Sequence, residues 1–150
     1  MAPDMSRWVG RVALVTGASA GIGAAICKEL VKHGMKVVGC ARRVHRIEKL
    51  AKELEEGPGL IMPIKCDLSK EEDIQSMFEL IKQRWGGIDV CINNAGFAKL
   101  ETLLSGSWSS WQEVFSVNVL ALLLCQKLSI ESMRERGVDD GHIININSVY

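Results

Sequence analysis

Short runs of β-branched and other apolar residues alternate along the chain with longer stretches in which apolar side chains recur every three or four positions. Residues 11–16 form a compact apolar run closed by Gly17, the pattern of a strand buried on both faces. A helix is predicted to follow, with Ile22, Ala25, Ile26 and Leu30 on one face and Gly34 as its stop. Residues 36–40 read as the second strand. Val44, Ile47, Leu50, Ala51 and Leu54 then repeat at helical spacing until Gly57, Pro58 and Gly59 break the chain, and residues 60–66 read as the third strand. Ser69 and Glu72 have capping-box spacing and predict the start of a third helix, whose stripe Ile74, Met77, Phe78, Ile81 and Trp85 ends at Gly86 and Gly87. Residues 88–92 are a fourth strand. Ser110 with Glu113 opens a long helix over 110–136, apolar nearly all round in its first half, and residues 142–146 close with a fifth strand. Strands separated by helices cannot pair as hairpins, so the expected fold is α/β, a doubly wound parallel sheet with helices on both faces. Ligands of such sheets lie outside the carboxyl ends of the strands.

Composition narrows the class. With 47% apolar residues, 150 residues suffice for one domain, expected over 1–150, with a substantial core. Eighteen basic and eighteen acidic residues balance, leaving no broad field to hold nucleic acid or an anionic membrane. Cys27, Cys40, Cys66, Cys91 and Cys125 are scattered singly without metal-ligand spacing, as expected for reduced thiols in a cytoplasmic protein. The N-terminus has no signal-peptide core, and the apolar stretch 117–125, interrupted by Asn118, is shorter than the roughly 20 residues of a membrane span. The expectation is a soluble domain with no metal, no nucleic acid and no membrane span.

The chemistry concentrates where the first strand hands over to the first helix, at Thr16-Gly-Ala-Ser-Ala-Gly-Ile-Gly23. Gly17 suits backbone angles closed to other residues, Gly21 lets the main chain approach a pyrophosphate, and Gly23 lets helix pack on strand, while the helix N-terminus offers free N–H groups. Such a turn is either a phosphate cradle or simply a tight strand-to-helix connection. At the end of the second strand an acid would bind the ribose hydroxyls of NAD, but the chain reads Gly39-Cys-Ala-Arg-Arg43. Arg42 and Arg43 are suited to a 2′-phosphate, with Ser19 as a further donor; alternatively they are the solvated start of a basic helix.

Asn93-Asn-Ala-Gly96 after the fourth strand, together with the glycine turn, Asp67-Leu68 after the third strand, Asn118 in the long helix and Asn145-Ile-Asn-Ser148 after the fifth, resembles the short-chain dehydrogenase/reductase family over essentially the whole chain. The resemblance implies a Rossmann-type fold and NADP as cofactor, held by Gly17, Ala18, Ser19, Ala20, Gly21, Ile22, Gly23, Arg42, Arg43, Asp67, Leu68, Asn94, Ala95 and Gly96. It implies hydride transfer between NADPH and a ketone, with a small-molecule carbonyl or ketosteroid substrate. Asp67 would accept from the adenine amino group, or else cap the turn before Ser69. Ser148 would hydrogen-bond the substrate carbonyl and Asn118 would hold a water of the proton relay, or make a structural hydrogen bond. The family's proton donor is a tyrosine followed four residues later by a lysine; this chain stops at Tyr150, which is not that tyrosine. Two expectations stay open: an inactive fragment or short form of a reductase, its C-terminal part missing after the fifth strand, or a non-catalytic NADP-binding or partner-binding module. The apolar face of the helix over 110–136, with Val114, Val117, Leu120, Leu122, Leu123 and Leu124, favours the fragment, and in the family this helix joins subunits into a homo-oligomer.

Overall fold

The computed structural model describes residues 1 and 3–149. Its five strands are β1 (Val12–Thr16), β2 (Lys36–Ala41), β3 (Leu60–Lys65), β4 (Val90–Asn93) and β5 (His142–Asn145). They form one sheet in the order β3-β2-β1-β4-β5, parallel at every pairing. The connecting helices are α1 (Gly21–Lys32), α2 (Val44–Glu53) and α3 (Glu71–Trp85). A continuous helix over Trp108–Glu135 follows, made of α4 (Trp108–Phe115), a π-helical stretch (Ser116–Ala121) and α5 (Leu122–Glu135).

Period-two alternation sends each central strand to two cores. Ala13 and Val15 of β1 pack with Cys27 and Val31 of α1 and Ile47 and Leu50 of α2 on one face. Val12 and Leu14 pack with Ile74, Met77 and Ile81 of α3 and Ala121 and Cys125 of the long helix on the other. All five residues of β1 are buried, which is why its sequence is continuously apolar rather than alternating. The chain winds outward from β1 to β3, then returns to place β4 on the other side of β1. The connections leaving β1 and β4 therefore diverge, and a crevice opens between them.

Several local expectations are corrected. The buried stripe of α1 is Gly23, Cys27 and Val31; Ile26 and Leu30 are half-buried at its border, and Ile22 is 62% exposed because it turns toward the crevice. The helix α3 begins at Glu71 with Lys70 as its N-cap and no side-chain cap. Ser69 does not form a capping box, because its N–H and hydroxyl both donate to Asp67 Oδ1. The long helix starts at Trp108, where Ser107 Oγ accepts from the Ser110 N–H, so Ser110 lies inside the first turn and donates to Glu101 instead of capping. This helix is long and apolar enough by length and composition to cross a membrane, which the shorter stretch 117–125 had not suggested. Here Ala121, Cys125, Ser129 and Met133 are buried in the domain while Phe115, Leu120 and Leu123 are exposed.

The amino ends of the strands are tied by charge. Asp89, just before β4, is 4% exposed; its Oδ1 accepts from Arg136 Nη2 at 2.9 Å and lies 3.5 Å from Arg11 Nη2, while Oδ2 accepts from the Val12 N–H at 2.9 Å. Arg136 also donates to the Ile88 carbonyl, and Arg11 grips Asp140 in a bidentate pair at 2.6 and 2.7 Å. A buried carboxylate is tolerated only with such partners.

Candidate nucleotide-binding cleft

The crevice at the carboxyl ends of β1, β2 and β4 is a cleft of about 610 Å³. One wall is the turn after β1. Gly17 has φ of +65°, and a Cβ there would lie 2.9 Å from Ala95 Cα, so the position requires glycine on both conformational and steric grounds. A Cβ on Gly23 would run into the Gly17 carbonyl and come within 2.6 Å of Asn94 Nδ2. Gly23 thus works in packing, letting the first turn of α1 sit directly on the segment after β4.

Thr16 locks the two divergent segments together. Its buried hydroxyl accepts from the backbone N–H groups of Asn94 and Ala95, both at 3.0 Å, and Asn94 Nδ2 returns bonds to the carbonyls of Thr16 and Gly17 at 3.1 and 3.3 Å. Asn93 Nδ2 donates to Asn145 Oδ1 at 3.0 Å, joining the ends of β4 and β5. The floor of the cleft is therefore braced by side-chain bonds where the sheet ladder ends.

The structure brings Gly17, Ser19, Ala20 and Ile22 of the turn together with Arg42 and Arg43 after β2, Asp67 and Leu68 after β3, and Asn94, Ala95 and Gly96 after β4, all lining the cleft. Ala18 and Gly21 do not line it. Ala18 is buried beneath the turn, and its N–H donates to the Cys40 carbonyl. Gly21, at φ of +55°, supplies the bend into α1. Asn118 lies in the π-helical stretch, half-buried rather than fully buried, and uses its side chain on one backbone: Nδ2 donates to the Phe97 carbonyl at 2.8 Å and Oδ1 accepts from the Phe97 N–H at 3.0 Å. It fastens the strap after β4 to the long helix. Ser148 is exposed beyond β5, its N–H donating to Asn147 Oδ1, and is not part of the cleft lining. Tyr150 lies outside the described residues.

Other lining residues had no sequence signal that pointed to the cleft: Ala41, Cys66, Ser69, Phe97, Glu113 and Val117. Lys99 pairs with Glu113, adding a second fastening of the strap to the helix. Phe97 and Val117 are ordinary apolar residues until the crossover places them at the crevice.

The electrostatics favour an anion on one side of the cleft and a donor on the other. Arg42 and Arg43 supply positive charge, and the Asp67 carboxyl is held below the usual carboxylate range by its two bonds from Ser69, helped by Lys70 and Arg42. All five cysteines are free and buried; burial pushes the Cys91 thiol up to about 11, so it stays neutral. Among the described residues no cluster of His, Cys, Asp and Glu is arranged to hold a metal ion.

A tight turn that requires glycine at residues 17 and 23, a helix N-terminus beside it and two arginines lining the same cleft fit a dinucleotide phosphate chain, and the volume falls within the ~300–1,000 Å³ of ordinary cofactor sites. Fold and site define a dinucleotide-binding α/β domain. The model of the short chain dehydrogenase family matches residues 11–150, and the chain belongs to that family. It is 59% identical over 98% of its length to dehydrogenase/reductase SDR family member 11 of Homo sapiens, and 49% identical over 97% to farnesol dehydrogenase of Aedes aegypti. It spans only 57% and 60% of the lengths of those two relatives. Among solved structures, L-sorbose reductase from Gluconobacter frateurii, complexed with NADPH and L-sorbose, superposes with a TM-score of 0.90 at 31% identity, covering 98% of this chain and 55% of that one. A metagenomic short-chain oxidoreductase in complex with NADP gives 0.90 at 34% identity, covering 97% of this chain and 65% of that one.

Proposed function

We propose that this chain forms the NADP(H)-binding part of a carbonyl reductase that reduces ketones, including ketosteroids, or oxidises the matching secondary alcohols. The observation that carries the reading is the meeting of Arg42 and Arg43 with the glycine turn across one cleft, where an NAD-selective site would place a carboxylate. In this reading Arg42, Arg43 and Ser19 hold the 2′-phosphate, and the N–H groups of the turn and of α1 hold the pyrophosphate. Asp67 and Leu68 hold adenine, and Asn94, Ala95 and Gly96 form the wall against which the nucleotide lies. NADPH, when bound, supplies the hydride. Ser148 donates to the substrate carbonyl as negative charge grows on its oxygen, and Asn118 orders the strap and the water of a proton relay. The exposed apolar face of the long helix, with Phe115 at 61%, Leu120 at 60% and Leu123 at 55%, supports assembly of copies through it.

The test is calorimetric. Adenosine 2′,5′-bisphosphate should bind at least ten times more tightly than adenosine 5′-phosphate, with the gap narrowing at high salt, and Arg42→Asp should erase the preference. Equal affinities would remove the 2′-phosphate reading. NADPH consumption with a dicarbonyl or a ketosteroid, and NADPH formation from NADP⁺ with farnesol, then sort the substrate classes. The 150-residue polypeptide, whose only tyrosine is Tyr150, is expected to bind nucleotide without turning over.

A further inference from the structure

Among the first-turn acids of α3, Glu71, Glu72 and Asp73, one reaches out of the helix. Asp73 Oδ2 accepts the backbone N–H of Asp67 at 2.9 Å, in a half-buried bond that spans the connection from β3. The remaining groups of Asp67 are also engaged: its carbonyl accepts from the Lys70 N–H at 3.0 Å, and its Oδ1 accepts from the Ser69 N–H and hydroxyl at 3.0 and 2.7 Å. The residue before it is anchored to the sheet, Cys66 N–H donating to the Ala41 carbonyl at 3.2 Å. Asp67 is thus clamped from four sides. No bond among the described residues takes Asp67 Oδ2 or the Leu68 N–H, and both residues line the cleft. One acceptor and one donor, adjacent in the chain, are left for a ligand.

Adenine presents the complementary pair, an amino donor at C6 beside the N1 acceptor. Hypoxanthine presents the reverse, an oxygen at C6 beside an N1–H. A site that offers a fixed acceptor and donor in that order rejects the reversed base strongly, but only while the loop cannot turn to re-pair. We propose that Asp73 is a positioning residue for base recognition: by holding the Asp67 N–H it fixes the loop that presents Asp67 and Leu68, and so sets how strictly the cleft discriminates adenine from hypoxanthine. This rests on the nucleotide reading above. Asp73 itself touches no ligand. Its reach across the loop separates it from Glu71, which spends its carboxylate on Gln75 one turn along the helix.

Binding of adenosine 2′,5′-bisphosphate and inosine 2′,5′-bisphosphate is measured by titration calorimetry on the wild-type protein, Asp73→Asn and Asp73→Ala. The wild type should favour adenine at least tenfold. Asp73→Asn should keep that ratio within twofold, because its amide oxygen still accepts from Asp67. Asp73→Ala should lower the ratio at least fivefold, by weakening the adenosine ligand while leaving the inosine ligand nearly unchanged. An equal loss for both ligands in Asp73→Ala would show a merely structural role and overturn the proposal, as would an Asp73→Asn variant that behaves like Asp73→Ala. If Asp73→Ala does not fold, Asp73→Glu, which keeps the charge but misplaces the acceptor, is read instead; an unchanged ratio there overturns the proposal. Wild-type protein that binds neither bisphosphate would bring down the nucleotide reading itself, a result distinct from an unchanged ratio.

Discussion

Replacing Gly23 by alanine adds a single methyl group at the place where α1, the β1 turn and the segment after β4 meet. The added Cβ would collide with the Gly17 carbonyl and lie 2.6 Å from Asn94 Nδ2 and 2.9 Å from the Gly17 carbonyl carbon, all of them held by the Thr16 network. Neither neighbour is the free end of a flexible side chain, so the turn itself must move. Overpacking of this kind costs about 1–3 kcal/mol. Losing the Asn94 bond to Gly17 adds about 1 kcal/mol. The better helix propensity of alanine returns up to about 1 kcal/mol, leaving a net loss of about 1–3 kcal/mol. At roughly 2–4 °C per kcal/mol for a chain of this size, the melting temperature should fall by about 2–12 °C. Because the displaced groups form the cleft wall, affinity for adenosine 2′,5′-bisphosphate should drop as well. Gly137→Ala is the control, since Gly137 has φ of +65° with open space around its Cβ position, and it lies far along the chain from the cleft. That variant should lose about 1–2 kcal/mol through backbone strain alone and keep full nucleotide affinity. Thermal melts followed by circular dichroism, with calorimetry on the same samples, separate the two effects. A Gly23→Ala protein that melts with the wild type and binds the bisphosphate unchanged would refute the packing argument.

Arg136→Met should destabilise the fold by about 2–4 kcal/mol, read by urea denaturation, because it leaves the buried Asp89 carboxylate with the longer Arg11 contact as its only charged partner beside the Val12 N–H; an unchanged midpoint would show that these two suffice. Acid should weaken the fold as well. The carboxyl of Asp140 is depressed by its bond from Arg11, so its stabilising contribution is present above the ordinary carboxylate pKa and is lost as pH falls through the depressed value. Asp67, depressed by Ser69, should act in the same window, and Arg11→Met should flatten the acid limb of a melting-temperature profile below pH 4. Light scattering at tens of micromolar should detect self-association that Leu120→Glu with Leu123→Glu reduces; a wild-type monomer at that concentration would count against assembly through the long helix.

The order and type of the elements were legible in the sequence because each central strand and each crossover helix carries one periodicity, and burial on both faces makes β1 continuously apolar. The glycine spacing and the arginines after β2 were legible for a similar reason, since a phosphate-binding turn and its charge partners are local in sequence even when the ligand is not. Helix starts were less so. Ser69 with Glu72 and Ser110 with Glu113 have capping spacing, but Ser69 binds Asp67 and Ser110 binds Glu101, because a short polar side chain takes whichever partner the tertiary packing brings closest. Apolar periodicity does not reveal the buried face of α1, because Gly23, which has no side chain to register as apolar, is buried in the domain, while Ile22 is left for the cleft. Only the sheet order, which puts β4 beside β1, unites residues 16, 17, 23, 94 and 95 in one braced floor and turns Thr16 from the last residue of a strand into the bond that holds two loops. Sequence specified the local geometry of each loop that lines the cleft. The crossover decided which loops face each other, because contacts between segments some 80 residues apart arise from packing and leave no periodic trace in either segment.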